Sequence, residues 1–444
     1  MTNLETLDGR RDASGGYKVD ISRGERIGRV SSEWFSRPDD ERYLSLSELY
    51  ASVKGRAERS RTRTVESAAI RVEAHRDDPE NLALILPDAE APVAPTHWSF
   101  GQLASLVSAP AAYLRQLPAP LAGINLQYGL TSHRAEQIKT LETEDGRTEL
   151  RAVTGPDYGR IYDHELVAAV QKIAGNGTGD TRWKVPGTLD WSSGVYNPMV
   201  DITKDTTTLY ASDRDVFLFL VDDMNPIEAG KLSDGSPDLY FRGFYCWNSE
   251  VGAKTLGIAS FYLRAVCQNR NLWGVEDFQE ISIRHSKYAA NRFAHEAAPA
   301  LTRFADSSPR PFVEGIRAAR ERIVEFVRGH LHRGAAHGGH GLGHRTVGAQ
   351  LEALHVLGRL DRQAFGHRPL LFQTALWDIH GGSQATVPRD AAIPGWTVHQ
   401  GNTMNPATIL DTHHSLLQLD TPLSPGQELS WTHVNYLQIG ILNS

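Results

Sequence analysis

Three runs, "DVFLFLVDD" at residues 215–223, "DLYFRGFYCWNSE" at 238–250 and "TLGIASFYLRAVCQN" at 255–269, decide the fold of this chain. They are rich in aromatic and β-branched residues, which favour strands. The Asn248–Gly252 segment between the second and third runs predicts a strand-to-strand turn, because Asn and Gly tolerate left-handed backbone and Ser and Glu can bond exposed amides. The three runs therefore predict an antiparallel meander. Periodicity leaves open whether the third run becomes helical in its second half.

The flanking sequence completes the predicted core. "ELRAVTG" at 149–155 predicts a short strand, and "DHELVAAVQKIAG" at 163–175 predicts a helix with Asp163 as N-cap and Gly175 as C-cap. Residues 285–306 and 311–331 predict two further helices. The order β-α-β-β-β-α predicts an α+β fold with an antiparallel sheet core, helices on one face, further helical segments and a C-terminal appendage.

The N-terminal third carries shorter signals. Ser45 or Ser47 is placed to cap a helix, "SAAIRVEA" and "NLALILP" predict a hairpin, and Ser99 is predicted to cap a helix from Phe100 to Val107. We divide the chain into a flexible arm (1–28), an N-terminal α/β and helical region (29–140), a core domain (141–310), and basic helices with a His/Gly-rich loop and the C-terminal region (311–444).

Composition is typical of a protein with a hydrophobic core, at 40% hydrophobic and 22% charged residues. No apolar run approaches the length of a membrane span, and the N-terminus lacks a signal-peptide core. We therefore expect a cytoplasmic protein without a membrane partner. Cys246 and Cys267 are expected to be small packed side chains.

The net charge of −7 is unevenly distributed. Residues 284–345 contain eleven Lys or Arg against five Asp or Glu, a local excess of six, which leaves −13 for the rest of the chain. The segment "KGRAERSRTR" at 54–63 is a second basic cluster. Such asymmetry is compatible with an anionic partner on one face, and equally with solvated helix faces.

Amide and guanidinium groups near the end of the predicted sheet are suited to phosphate and base contacts. The residues predicted to bind nucleic acid are Asn269, Arg270, Arg284, His285, Lys287, Arg317 and Arg320. Strand aromatics could stack with single-stranded bases or form the core. These aromatics are Phe241, Phe244, Tyr245, Trp247, Phe261 and Tyr262.

The sequence gives less support for a metal site than for a nucleic-acid surface. The His-rich loop (330–344) lacks the spacing of a structural zinc site. Asp378 and His380, Asp411 with His413 and His414, and the Asp222–Asp223 pair lack identifiable further ligands. No P-loop, GxGxxG, GxSxG, HExxH or CxxC motif is present. The sequence therefore predicts no cofactor, no metal and no catalytic residue.

The stretches "RAVTGPDYGRIYDHELVAAV", "WNSEVGAKTLGIASFYLRAVCQN" and "RHS", with "SFGQLASLVSAPAAYLRQLP" upstream, resemble the phage/plasmid-like protein family, a domain of unknown function numbered 932. The resemblance covers most of residues 90–300. That family carries no established activity, and its settings imply DNA metabolism by association. The core order is also similar to phage single-strand annealing proteins, which hold single-stranded DNA in a basic groove of a ring.

Three hypotheses follow. The leading one is a DNA-associated protein of a mobile element that acts without catalysis, as a single-stranded DNA binder or annealer in recombination, and that forms a homo-oligomer. The second is a metal-dependent nuclease or phosphoesterase using Asp378, His380 and His413. The third is a structural or assembly protein.

Overall fold

The computed structural model describes residues 15–20, 26–132, 136–232 and 235–322, together with two short strands further along the chain. The strands are β1 (Tyr17–Lys18), β2 (Arg26–Ile27), β3 (Arg42–Tyr43), β4 (Ser60–Glu66), β5 (Arg71–Ala74), β6 (Leu82–Ile85), β7 (Ala94–Pro95), β8 (Gln137–Asp145), β9 (Arg147–Thr154), β10 (Thr188–Asp190), β11 (Val195–Asn197), β12 (Leu209–Ala211), β13 (Val216–Lys231), β14 (Pro237–Asn248), β15 (Leu256–Leu263), β16 (Ala265–Val266), β17 (Leu272–Trp273), β18 (Glu276–Ile283), β19 (Thr386–Val387) and β20 (Leu429–Ser430).

The helices are α1 (Arg29–Phe35), α2 (Leu46–Glu58), α3 (His97–Leu106), α4 (Ala111–Leu114), α5 (Ala119–Ser132), α6 (Asp163–Ala174), α7 (Ala289–Arg292), α8 (Ala298–Asp306) and α9 (310–322). A π-helical turn, Phe293–Ala297, joins α7 to α8. None of the helices within the described ranges is both long and apolar enough to cross a membrane.

A six-stranded antiparallel sheet in the order β18-β15-β14-β13-β12-β3 organises the molecule. The predicted meander is confirmed as β13, β14 and β15. The third strand ends at Leu263 and is followed by the short strand β16, so its second half is not helical. The described residues thus have the α+β fold predicted from the sequence.

The two faces of this sheet are covered differently. Helices α2, α6 and α8 pack on one face, around a core that includes Leu46, Val167, Phe244 and Leu301. The other face packs against small sheets formed by β1, β10 and β11 and by β2, β16 and β17. The long helices of the core therefore lie on a single face, as the sequence predicts.

A second layer is formed by the sheet β4-β8-β9-β7 with helices α3, α4 and α5. Strands β5 and β6 form the predicted hairpin, with Arg71 opposite Ile85. Helix α3 starts earlier than predicted, because Thr96 caps it by accepting the Ser99 amide at 3.2 Å. Gly175 ends α6 with a positive φ of 59°, as expected for a C-cap glycine.

Contacts cross the predicted divisions of the chain at three places. Tyr17, inside the predicted flexible arm, is fully buried and pairs with Tyr196 in β11, while β2 pairs with β17. The arm prediction is therefore wrong for these short strands, because two-residue strands carry no periodicity. Strand β8 crosses the predicted boundary at residue 140. Phe312 of α9, beyond the boundary at 310, packs on the central sheet.

Candidate functional site

The end of the central sheet at residues 248–252, here called the turn end, holds a group of buried charged side chains. Asn248, Ser249 and Glu250 are each completely buried. Ser249 Oγ donates to the Arg214 carbonyl at 2.6 Å and accepts the Ala253 amide at 2.9 Å. The predicted turn is present, but its polar side chains bond inside the protein rather than at its surface.

Glu250 connects this turn to helix α6. Its Oε1 accepts the Asp163 amide at 3.0 Å, and its Oε2 accepts from Arg151 Nη1 at 2.9 Å. Arg56 Nη2 donates to Asp163 Oδ2 at 2.8 Å, and Asn248 Nδ2 donates to Asp163 Oδ1 at 2.8 Å. Asp163 is the first residue of α6 rather than its cap, because Tyr162 precedes it in extended conformation. The cluster therefore contains two buried carboxyl groups, the buried guanidinium of Arg151 and the partly exposed guanidinium of Arg56.

Burial and charge act differently on the two carboxyl groups. Burial raises the pKa of Asp163 well above its ordinary value, and the neighbouring Glu250 carboxylate adds to this rise. Burial would also raise the pKa of Glu250, but the Arg151 and Arg56 guanidinium groups outweigh it and hold that pKa below its ordinary value. Glu250 therefore carries the charge that the two arginines neutralise.

A second ionic cluster lies beside the first, around Asp215. Arg37 binds the Asp215 carboxylate with two hydrogen bonds of 2.6 and 2.9 Å. Lys254 Nζ lies 2.8 Å from Asp215 Oδ2 and 2.6 Å from Glu33 Oε1. Burial would raise the pKa of Asp215, but Arg37 and Lys254 hold it well below its ordinary value. Both clusters thus fix the loops that close the turn end.

His285 and Tyr158 close the same end from another side. Their rings stack with centroids 5.0 Å apart, and His285 Nδ1 lies 3.1 Å from the Gly159 carbonyl. Because a carbonyl only accepts, Nδ1 carries the proton in this bond. Burial lowers the pKa of His285. A Cβ at Gly159 would lie 2.0 Å from the Ser286 carbonyl oxygen, so this close approach requires glycine.

The residues predicted to bind nucleic acid do not form one site. In the β15–β18 pairing, Leu256 lies opposite Ile283 at the turn end, and Tyr262 lies opposite Glu276 at the other end. Arg284 and His285 follow Ile283, whereas Asn269 and Arg270 follow the opposite end of β15. An eight-residue strand spans roughly 25 Å. The two groups are therefore separated by about the length of the sheet.

Arg270 is buried, with 1% of its surface exposed. Its guanidinium donates to the carbonyls of Pro186 and Gly187, both at 3.3 Å, and to that of Thr206. It holds three backbone segments together and does not offer the exposed phosphate contact that the sequence predicts. Arg270 has a positive φ of 55°, which the Cys267–Asn271 turn imposes. Asn269, in the same turn, is exposed.

The other predicted residues differ in exposure. Arg284, Lys287 and Arg317 are exposed, whereas His285 is buried. Arg320 forms an ion pair with the buried Asp238, which Arg264 also binds. In the basic segment at 54–63, Arg56 forms an ion pair with Asp163, and Arg63 forms one with Glu142.

A groove of about 470 Å³ lies between strands β15 and β18 and helices α8 and α9. Its floor includes Ile258, Tyr262 and Phe312, and the Tyr262 and Phe312 rings stack with centroids 3.8 Å apart. Polar groups of Ser260, Asp277, Gln279, Arg303, Ser307 and Ser308 complete its lining. Arg303 is exposed and forms no ion pair with any residue in the described ranges. The sequence does not reveal this groove, because its two sides meet only after the sheet and helices have packed.

The strand aromatics belong to the core. Phe244 packs on the helical face, and Phe241, Tyr245 and Phe261 pack on the opposite face. Tyr262 is buried under Phe312, and Trp247 is half-buried. Stacking of single-stranded bases on these rings is therefore not available. Tyr288, which is not among the predicted binding residues, is 61% exposed and lies beside Lys287, whose Nζ is 5.2 Å from the Tyr288 ring centroid.

The candidate metal ligands have different positions. Asp223 is buried and binds Lys184, the Gly187 amide and the Tyr196 hydroxyl, whereas Asp222 binds Asn225. No group of three or more His, Cys, Asp or Glu side chains within residues 15–322, apart from the gaps given above, is placed to hold a metal ion. The His-rich loop and Asp378, His380, Asp411, His413 and His414 lie outside the described residues. Cys246 and Cys267 are buried and unpaired with each other, as expected for packed thiols.

The buried charges of the turn end thus bond to loops inside the protein, whereas Arg284, Lys287 and Tyr288, which come directly after β18, are exposed. Known proteins add no further assignment: no family model, no curated protein and no solved structure matches this chain.

Proposed function

We propose that this protein binds single-stranded nucleic acid without catalysis, along a surface that runs from residues 284–288 to the groove beside β18. The observation that carries the proposal is the position of Arg303. This exposed guanidinium, which has no ion-pair partner among the described residues, lines the groove together with Ser308, whose hydroxyl oxygen accepts the Arg310 amide at 3.2 Å. Guanidinium and hydroxyl groups are typical phosphate contacts.

The chain before α8 extends this surface. Arg284, Lys287 and Tyr288 come directly after β18, whose Asp277, Gln279 and Ile281 line the groove. Exposed cations beside an exposed aromatic ring are the groups that bind single strands without reading sequence, since every base has a face that can stack. Residues 284–322 contain eight Lys or Arg against four Asp or Glu, which favours an anionic ligand.

The groove itself suits one nucleotide. Its volume of about 470 Å³ lies within the usual range for small-ligand sites. The apolar side chains of Ile281 and Pro311 would contact a base, and the Asp277 carboxylate and Gln279 amide of β18 would bond its polar edge. The resemblance to phage/plasmid-like proteins supports a role in DNA metabolism by association, and annealing in recombination remains the more specific form of this proposal.

Fluorescence anisotropy with a labelled oligothymidylate tests the proposal. We expect binding at low salt that weakens linearly on a log–log plot as salt rises, because phosphate contacts release counterions. The oligonucleotide should keep its length on a denaturing gel with Mg²⁺ present. An absence of binding at low salt would contradict the binding proposal, and shortening of the oligonucleotide would contradict its non-catalytic part.

A further inference from the structure

Helix α5 carries an unusual exposed face. Its inner side, which includes Ala122, Leu126 and Leu130, is buried against the β5–β6 hairpin. On the opposite side Leu121 is 50% exposed, Ile124 65% and Tyr128 73%. Because these positions are three and four residues apart, the side chains form one stripe along the helix. Large apolar residues exposed in a contiguous stripe indicate an interaction surface.

Charge is absent from this helix and from the residues just before it. Residues 116–132 contain no Asp, Glu, Lys or Arg. Two of its exposed polar side chains bond their own helix: Asn125 Nδ2 donates to the Leu121 carbonyl at 2.8 Å, and Thr131 Oγ1 donates to the Gln127 carbonyl at 2.9 Å. The stripe itself offers apolar surface, to which the Tyr128 hydroxyl adds a polar group.

We infer that the α5 stripe binds the same stripe of a second copy of this chain, with the two helices antiparallel about a two-fold axis. Ile124 lies near the middle of the stripe, so it would face its own copy at the axis, and Leu121 would face Tyr128 on either side. An uncharged surface produces no like-charge repulsion against itself, and it offers no charge to select a partner of the opposite sign. Contacts between identical subunits are also the most apolar class of interface and are poor in charge at their centre.

The mass of the full chain in solution, measured by light scattering over a range of concentrations, tests this inference. We expect a dimer. The Ile124→Glu variant should raise its dissociation constant by about tenfold or more, because two carboxylates would then meet at the axis. The matched control is Met199→Glu, since Met199 is 63% exposed and lies in the loop after β11 rather than on α5. It should leave the dimer unchanged.

Cross-linking locates the interface independently. Both native cysteines are buried, so Ile124→Cys would add a single accessible thiol to the described part of the chain. Mild oxidation should then give a disulfide-linked dimer, whereas Met199→Cys should not. A wild-type monomer at all concentrations overturns the inference. A dimer that persists in Ile124→Glu, in a variant with an unchanged melting temperature, overturns it as well.

Discussion

The Glu250 carboxylate lies 2.9 Å from Arg151 Nη1, and neither side chain is more than 4% exposed. This bond joins the turn after β14, in the central sheet, to strand β9 of the β4-β8-β9-β7 sheet. Glu250 also accepts the first amide of α6, so one buried carboxylate fixes three elements. The Asn-Ser-Glu segment, conspicuous in the sequence, therefore holds the two layers of the molecule together.

We expect Glu250→Gln to destabilise the protein by about 3–5 kcal/mol, because it leaves buried guanidinium groups without their counter-charge. Urea unfolding followed by circular dichroism measures this change. Asp213→Asn is the control, since its side chain is 55% exposed and its ion pair with Arg214 is a surface one. That variant should change stability by no more than about 0.5 kcal/mol. Equal changes in the free energy of unfolding for the two substitutions would show that the buried ion pair contributes no more to stability than the surface one.

The Asp215 cluster predicts a pH dependence. Arg37 and Lys254 hold the pKa of Asp215 well below the unfolded value of about 3.9, so in acid the unfolded chain takes up a proton that the folded protein does not. The stabilisation is therefore complete above about pH 5 and is lost as the pH falls through the unfolded and then the folded pKa. Unfolding free energies of wild type and Asp215→Asn should differ at pH 7 and converge toward pH 2. A difference that stays constant over this range would contradict the assignment.

Arg270 distinguishes a structural role from a binding role. Because its guanidinium is buried on three carbonyl oxygens, we expect Arg270→Ala to destabilise the protein by about 2–4 kcal/mol. The adjacent Asn269 is exposed, and Asn269→Ala should change stability by less than about 0.5 kcal/mol. Thermal unfolding of both variants checks this. If Arg270→Ala leaves stability unchanged and weakens oligonucleotide binding, the structural role is contradicted and Arg270 contacts the nucleic acid.

The proposed nucleic-acid surface predicts how three substitutions change oligonucleotide binding and its salt dependence. Arg303→Ala and Lys287→Ala should each make the salt dependence shallower, by about 0.7 in the log–log slope, because each removes one phosphate contact. Tyr288→Ala should weaken binding by about 1–3 kcal/mol through loss of stacking, with little change in slope. Arg61→Ala is the control, since Arg61 is an exposed cation on β4, away from the groove. A loss in Arg61→Ala equal to that in Arg303→Ala would show that binding is not localised.

The sequence predicts the elements that have their own periodicity or caps. The strands β13 to β15, the hairpin β5–β6 and the start of α2 at Ser45 follow from alternation, turn residues and capping. It does not predict which side chains meet. Arg56 and Asp163 are far apart in the chain, and so are Arg37 and Asp215, so no local pattern pairs them.

The same reason explains the dispersal of the predicted binding residues. Asn269 and Arg284 are close in sequence, but the intervening β18 runs the length of the sheet and carries them to opposite ends. The burial of Arg270 could not be predicted from the sequence either. Its burial depends on carbonyl groups contributed by residues 186, 187 and 206.

The pairing of the first strands has a consequence for synthesis on the ribosome. Strand β1 pairs with β11, β3 with β12 and β2 with β17, so these three strands lack their partners until residues 197, 211 and 273, respectively, have been translated. Residues 60–154, by contrast, contain all four strands of their own sheet and can pair as soon as they emerge. Long-range pairing is slow because the intervening chain must close first. Strands β11, β12 and β17, which are made much later, therefore complete the sheets of the first-made part of the chain.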